Sequence, residues 1–234
     1  MTSSLDQVVA ARQTIIVFAR EPIIGVTKTR LIPRLGAKRA AALARAFILD
    51  TLAKARATGC SLAIAGDAPN GVNRSAFFRR LARNFGATLI DQGKGTLGAR
   101  MRRSLASFSA AGALLIGTDI PSLPPAMLAR SLILLRRRQV ILGPTADGGY
   151  YLVGVHGSLP DIFRGIRWGT ARVLAETLAR LRRTRADYAL TDGWYDVDRW
   201  GDLLTLGVQL RRMAPTWHHP CPATARILAG LGLL

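Results

Sequence analysis

In "ALLIGTDIPSLPP", Ala113 to Pro125, an apolar run of the kind that makes a buried strand stops at an aspartate, and proline follows two residues later. Pro124 and Pro125 suit the first turn of a helix, where proline's fixed φ is already helical and its missing N–H would have no partner anyway. A helical pattern follows, Ala126 to Arg136, and then a second apolar run, "QVILG". Strand, helix and strand at this spacing predict parallel strands joined by a crossover, with Asp119 at the carboxyl end of the first. The residues alone support two roles for Asp119 equally, a carboxylate capping the turn and one holding a metal at the rim of a sheet.

The alternation extends outward from this unit. "TIIVFA" (Thr14 to Ala19), "SLAIAG" and "ATLI" read as further strands, separated by helices predicted over Ala37 to Ala57, around Arg74 to Arg83 and from about Thr96 to Ser107. The segment "REPIIGVTKTRLIPRLG" reads as a loop, because Pro22, Gly25, Pro33 and Gly36 argue against helix. In the second half, "GGYYLVGV" is strand-like after a tight glycine pair, "TARVLAETLARLRR" is a helix, "ADYAL" a short strand, and another helix begins near Trp200. That half leaves room for an antiparallel departure. The expected fold is α/β, a three-layer sandwich around a mostly parallel sheet. A single domain over residues 1–234 is expected, with a leader over 1–13 and a tail over 215–234 packed on the body. On such sheets ligands bind beyond the carboxyl ends of the strands.

Several classes find no support. No run of about 18 apolar residues exists to span a bilayer, and "MTSSLDQVVA" lacks the order of a secretion signal, so the chain reads as cytoplasmic. Cys60 and Cys221 stand far apart without CxxC spacing and read as buried free thiols. His156, His218 and His219 have no HExxH spacing and read as structural; no GxSxG elbow, Walker A loop or GxGxxG is present. The formal net charge is +19, from 33 Lys and Arg against 14 Asp and Glu, a field that attracts phosphates, nucleotides, nucleic acids and anionic membranes alike. Most of the arginines fall on apparent helix faces and read as solvated surface. A non-enzymatic binder of nucleic acid or anionic surfaces is a rival reading. The chain lacks the aromatic-studded basic sheet or recognition helix that such specificity needs, so no specific nucleic-acid partner is expected. It carries no signal for an oligomeric state.

Against so few acids, each aspartate at a strand end is informative. Asp147 precedes Gly148 and Gly149 in "TADGGYY", a pattern that fits either a hairpin turn or a close backbone approach to a ligand, with Tyr150 and Tyr151 offering rings and hydroxyls. In "WYDVDRWGDL", Asp196 and Asp198 share one face at strand spacing, as a hard cation such as Mg2+ would require, although Asp198 could equally cap the next helix. The loop after the first strand is cationic, with Arg20, Lys28 and Arg30 around Gly25 and Thr29, and suits phosphates. Gln92 and Gly95, in "QGKGTLGARM", sit in a glycine-rich turn before a helix, for which a plain turn is the alternative.

Taken in order, "VFAREPIIGVTKTRL", "QGKGTLGARM", "LLIGTDIPSL", "LGPTADGGYYLVG", "RWGTARVLAETL" and "YDVDRWGDL" resemble a bacterial family of glycosyltransferase-like proteins of GT-A fold. The family belongs to the nucleotide-diphospho-sugar transferase superfamily and includes arsenosugar-biosynthesis-type glycosyltransferases; in outline it is similar to molybdenum-cofactor and phospholactate guanylyltransferases. The resemblance covers residues 14–204. It implies a Mg2+- or Mn2+-dependent transferase that takes a nucleotide or nucleotide-sugar donor and a small-molecule acceptor. Glycosyl transfer is the leading expectation, and nucleotidyl transfer to a phosphorylated small molecule is the alternative. On this resemblance Asp119 and Asp198 look like the metal pair. Arg20, Gly25, Lys28, Thr29, Arg30, Gln92 and Gly95 would meet the nucleotide and its phosphates. Lys28 and Asp147 would be the catalytic residues, and Gly148, Gly149 and Tyr150 would line the acceptor or sugar side. The chain departs from the family pattern at Thr96, where the family has Asp, and at Gly169 and Ala171, where it has Ser and Pro.

Overall fold

The computed structural model describes residues 13–213 and 220–234. Most of the expected leader, the first residues of the expected tail, and His218 and His219 lie outside the described residues. One seven-stranded sheet carries the fold, in the order β3-β2-β1-β4-β6-β5-β7. Its strands are β1 (Thr14–Arg20), β2 (Ser61–Asp67), β3 (Thr88–Asp91), β4 (Ala113–Ile116), β5 (Val140–Pro144), β6 (Tyr150–Val155) and β7 (Tyr188–Leu190). β6 runs antiparallel to β4 and β5, and every other pairing is parallel. The antiparallel departure therefore falls where the glycine pair turns the chain back from β5 into β6.

Eight α-helices accompany the sheet among the described residues: α1 (Ile32–Leu35), α2 (Ala37–Ala57), α3 (Ala76–Phe85), α4 (Leu97–Ala106), α5 (Pro125–Leu135), α6 (Val173–Thr184), α7 (Trp200–Met213) and α8 (Pro222–Ala229). β1 shows why both faces are covered. Its β-branched residues alternate, Ile15 and Val17 packing with Ile48 and Leu52 of α2, Phe78 of α3 and Leu128 of α5, while Ile16 packs with Met101 and Leu105 of α4 and Leu181 of α6. A third cluster joins Leu43 and Phe47 of α2 to Leu206 and Leu210 of α7 and Leu228 of α8, and so packs the end of the chain onto the body.

Three expectations change. The loop after β1 is not wholly irregular: a 3₁₀ turn over Thr29–Leu31 runs into the single turn of α1, with Pro33 in its first turn, where proline is tolerated. The helix expected from Thr170 starts only at Val173. Of the two free thiols, Cys221 is buried while Cys60 is only partly so.

The order of the strands fixes where a ligand can enter. From β1 the chain proceeds outward to β2 and β3, then crosses back to β4 on the other side of β1. Loops leaving β1 and β4 at their carboxyl ends diverge to opposite sides, and the gap they leave is a crevice. The β1 loop with Lys28 and the β4 loop with Asp119 flank that gap.

Candidate active site

Lys28 is the centre of the crevice. Its Nζ is 2.9 Å from Asp119 Oδ1 and 2.8 Å from Asp198 Oδ1, and it donates to the Val197 carbonyl at 2.7 Å. The side chain is 6% exposed, whereas the two carboxylates are 44% and 42% exposed. Burial pulls the Lys28 pKa down, but Asp119 and Asp198 outweigh it, and the net shift is upward, so the cation is firmly held. Its backbone lies in the left-handed region, φ 51°, ψ 44°. That conformation costs a non-glycine residue of order 1–3 kcal/mol and persists where surrounding contacts enforce it. Here the three bonds to its ammonium do so.

Asp198 does not cap the helix that follows it. Asp202, four residues on, accepts from the backbone N–H groups of Asp198 and Arg199 at 3.0 and 2.7 Å, so the Asp198 carboxylate is free to face Lys28, with Arg30 at 3.7 Å. Burial would raise the Asp198 pKa, but Lys28, Arg30 and hydrogen bonding bring it below the ordinary value. Asp119 is fixed through its backbone, since its carbonyl accepts from Val197 N at 2.7 Å. Asp196 lies among these acids. Burial, then the charges of Asp119, Asp198 and Asp147, push its pKa up to about 7 against the pull of Lys28.

The crevice has two lobes that share Arg30, Leu97 and Asp198. The first, about 540 Å³, is lined by Arg20, Lys28, Thr29, Arg30 and Arg100, with Asp119 at its base. Arg20 and Arg100 both pair with Asp67 Oδ2, at 3.2 and 2.9 Å, and the Arg100 guanidinium lies 5.6 Å from the Phe18 ring centre. Gln92 lines this lobe but is 1% exposed. Its amide nitrogen donates to the Ala19 and Ala65 carbonyls, and its oxygen takes Arg100, so it orients that arginine. Gly25 and Gly95 are not among the lining residues of either lobe. Gly25 turns the β1 loop at φ +82°, and Gly95 leads into α4, whose first turn Thr96 caps by accepting from Ala99 N at 3.3 Å. The Thr96 departure thus keeps a capping side chain.

The second lobe, about 670 Å³, lies between the β5–β6 turn, the loop before α6 and the Asp196–Asp202 segment. Asp147 Oδ1 accepts from Thr145 Oγ1 at 2.5 Å and Gly149 N at 3.1 Å, which makes it the hairpin's turn residue as well as a wall of the lobe. Gly148, at φ +85°, is a packing requirement, because a Cβ there would collide with the Ala171 carbonyl oxygen. Gly149 and Tyr150 line the lobe together with Gly169 and Ala171. The tyrosine hydroxyls do not serve it. Burial of the Tyr150 hydroxyl raises its pKa, and Tyr151 Oη donates to the Asp192 carbonyl at 3.1 Å on the far side of the strand. Adjacent strand residues point to opposite faces, so only the Tyr150 ring is presented, edge-on to Trp168 at 6.3 Å.

The donor set suits a hard cation. Magnesium is commonly held by one or two carboxylates together with substrate phosphates. Asp119 and Asp198 already converge on one cation, the Lys28 ammonium, and both face the crevice. Among the described residues no group of three or more His, Cys, Asp or Glu side chains makes a closed metal site.

A crevice at the switch point of a mostly parallel sheet is where such folds take their ligands, and comparison with known proteins narrows the class to nucleotide-utilising transferases. A sequence profile for the family described as "Uncharacterized protein conserved in bacteria (DUF2064)" matches residues 48–170, more than half of the chain, and the chain belongs to that family. No curated protein matches it. A solved structure from Desulfovibrio desulfuricans G20, provisionally assigned as a nucleotide-diphospho-sugar transferase, is similar with a TM-score of 0.79 at 28% identity, covering 94% of this chain and 96% of that one. CMP:2-keto-3-deoxy-manno-octonic acid synthetase complexed with CTP shares the fold at TM-score 0.51 and 12% identity, over 86% of this chain and 99% of that one. A nucleotidyl transferase from Methanothermobacter thermautotroptrophicus shares it at 0.53 and 14%, over 86% and 99%. The Desulfovibrio neighbour supports a transferase here, and the other two show the shared fold. No helix among the described residues is long and apolar enough to cross a membrane.

Proposed function

We propose that the chain is a single-domain, cytoplasmic GT-A-type glycosyltransferase that moves a sugar from a nucleotide-sugar donor to a small-molecule acceptor. The observation that carries this reading is the convergence of Asp119 and Asp198 on Lys28 between a basic lobe and an acidic one. A donor diphosphate has a natural place at that junction. Its nucleoside side would occupy the lobe of Arg20 and Arg100, and its sugar would point toward Tyr150 and Asp147.

Asp119 and Asp198 would hold Mg2+ or Mn2+, and such an ion supplies charge neutralisation for a leaving diphosphate. Lys28 shares that work as a cation whose position is set before the donor arrives, and Arg30, exposed and 3.7 Å from Asp198, adds a second positive charge. Arg20 and Thr29 flank the same lobe, and Gln92 acts through Arg100. On the other side Asp147 keeps Oδ2 free of partners among the described residues and can orient the acceptor hydroxyl and receive its proton. The acceptor oxygen bonds to the anomeric carbon, the bond from that carbon to the diphosphate breaks, and the hydroxyl proton goes to the carboxylate.

The test is a thermal-shift screen of nucleoside diphosphates and nucleotide sugars with and without Mn2+, run on the wild type and on Asp119→Ala, followed by product analysis. Expected are a metal-dependent stabilisation lost in the variant and release of nucleoside diphosphate on turnover. Release of pyrophosphate from a nucleoside triphosphate instead would identify nucleotidyl transfer. No shift with any nucleotide would sink the transferase reading.

A further inference from the structure

A second groove, about 820 Å³, opens beside the acidic lobe, and Trp168 is a wall of both. The wall is built in. Gly98 on α4 leaves room for the indole, since a Cβ there would come within 2.6 Å of Trp168 Cζ2, and the ring is braced by Tyr150 and Phe163, each at 6.3 Å. The loop that carries it is pinned by Arg167 to Glu176 and by Asp161 to Arg180.

The two sides of Trp168 differ in charge. In the lobe, Asp147, Asp196, Asp198 and Asp202 face Arg30 and Arg199. In the groove, Arg102, Arg103 and Arg164 face one acid, Asp161, and that acid is taken by Arg180 at 2.5 Å. Arg103 donates to the Gln92 and Lys94 carbonyls. Arg102 and Arg164 have no hydrogen-bond or ion-pair partner among the described residues. An anionic group would be repelled in the lobe, where carboxylates predominate, and attracted one indole's width away, where unpaired guanidinium groups face an apolar wall.

Resting on the reading of the crevice as a transferase site, we propose that the groove bounded by Trp168, Arg102 and Arg164 binds the anionic end of the acceptor. The acceptor is then a molecule with a free hydroxyl at one end, presented to Asp147, and a phosphate or carboxylate at the other. Its middle passes over the edge of the Trp168 indole.

The probe is phenyl phosphate, with benzoate and benzyl alcohol as separate arms, titrated into 15N-labelled protein while the Trp168 indole N–H resonance, assigned with Trp168→Phe, is followed. Phenyl phosphate, benzoate or both should shift that resonance saturably, and benzyl alcohol should not. Which anion binds identifies the acceptor's charged group. Arg102→Ala/Arg164→Ala, both exposed side chains, should weaken anion binding by at least about tenfold, as loss of charge-assisted contacts predicts. UDP with Mg2+ should leave the anion bound. Equal affinity in wild type and double variant, equal binding of benzyl alcohol, or displacement by UDP overturns the proposal. Loss of nucleotide binding with the groove intact would instead defeat the transferase reading, so the two failures are distinguishable.

Discussion

Lys54 of α2 is 6% exposed, and its Nζ donates to the Pro121 carbonyl at 2.5 Å and the Ile120 carbonyl at 3.4 Å, on the turn just after Asp119. Burial pulls its pKa down to about 8, with Cys221 and Asp50 opposing the shift. A lysine whose folded pKa is depressed destabilises the fold while it is charged. Below about pH 8 both states are protonated and the full penalty is present. As pH rises from 8 toward 10.5 the unfolded chain holds more protons than the folded one, so stability increases with pH. From 10.5 to about 8 is 2.5 units, or roughly 3 kcal/mol at 1.36 kcal/mol per unit, most of it recovered between pH 7 and 10. Cys221 opposes this: burial pushes its thiol up to about 12, and stability falls as the unfolded thiol ionises above 9. Cys221→Ala removes that contribution. Urea unfolding followed by circular dichroism at pH 7, 8, 9 and 10 should then be compared between Cys221→Ala and Cys221→Ala/Lys54→Met. The stability difference should shift by about 2–3 kcal/mol across the range in favour of the lysine-containing chain. The pH slope is diagnostic and the absolute difference is not, because truncation also strands two carbonyls. Parallel curves would refute a buried, charged Lys54 anchoring the Asp119 turn.

Asp50 caps α8, accepting from Ala223 N, Thr224 N and Thr224 Oγ1 at 2.9, 2.8 and 2.6 Å; Asp50→Ala should cost about 2 kcal/mol or more in urea unfolding, since two buried donors and one part-buried donor lose their partner. Gly148→Ala must clear the Ala171 carbonyl and hold φ +85°, so a loss of about 1–3 kcal/mol is expected, read as a lower melting temperature with no change in nucleotide affinity. Lys28→Met leaves Asp119 and Asp198 facing each other without their cation; because both are over 40% exposed the stability loss should stay near 1–3 kcal/mol, below that of a fully buried pair, while UDP affinity measured calorimetrically falls by about tenfold or more. Nucleotide binding unchanged in Lys28→Met would refute its place in the donor site.

Most of the sheet is legible in the sequence because its central strands are buried on both faces and read as unbroken apolar runs, as in Thr14–Ala19 and Ala113–Ile116. Asp119, Asp198 and Lys28 are legible for a related reason: acids and lysines are both rare in this chain, so a charged group of either kind near a strand end stands out. The residues that escape notice are those whose partners are distant in sequence. Asp67 ends β2 just as Asp119 follows β4, and the same strand-end logic could have found it, but its role appears only when Arg20 and Arg100, 47 and 33 residues away, close on one oxygen. Arg100 is hidden among many helix arginines; what separates it from its solvated neighbours is Gln92, a residue that looks like a ligand contact and is a buried brace.

Tyr150 and Asp196 show a further limit with the same cause. Sequence reports which group is present and, through periodicity, which face it takes, but not whether that face is open to the crevice. Tyr150 faces the crevice with its ring while its hydroxyl is sealed beneath, so of the two features read from the residue type only the ring is presented there. Asp196 shares its alternation with Asp198, yet Lys28 and Arg30 reach only Asp198. The carboxylate that keeps a direct cation stays ionised, and the one surrounded by other acids is pushed up to about 7. The pKa values of Asp196 and Asp198 therefore move in opposite directions, because a single lysine, held in a left-handed turn 170 residues earlier in the chain than Asp198, pairs directly with one and not the other.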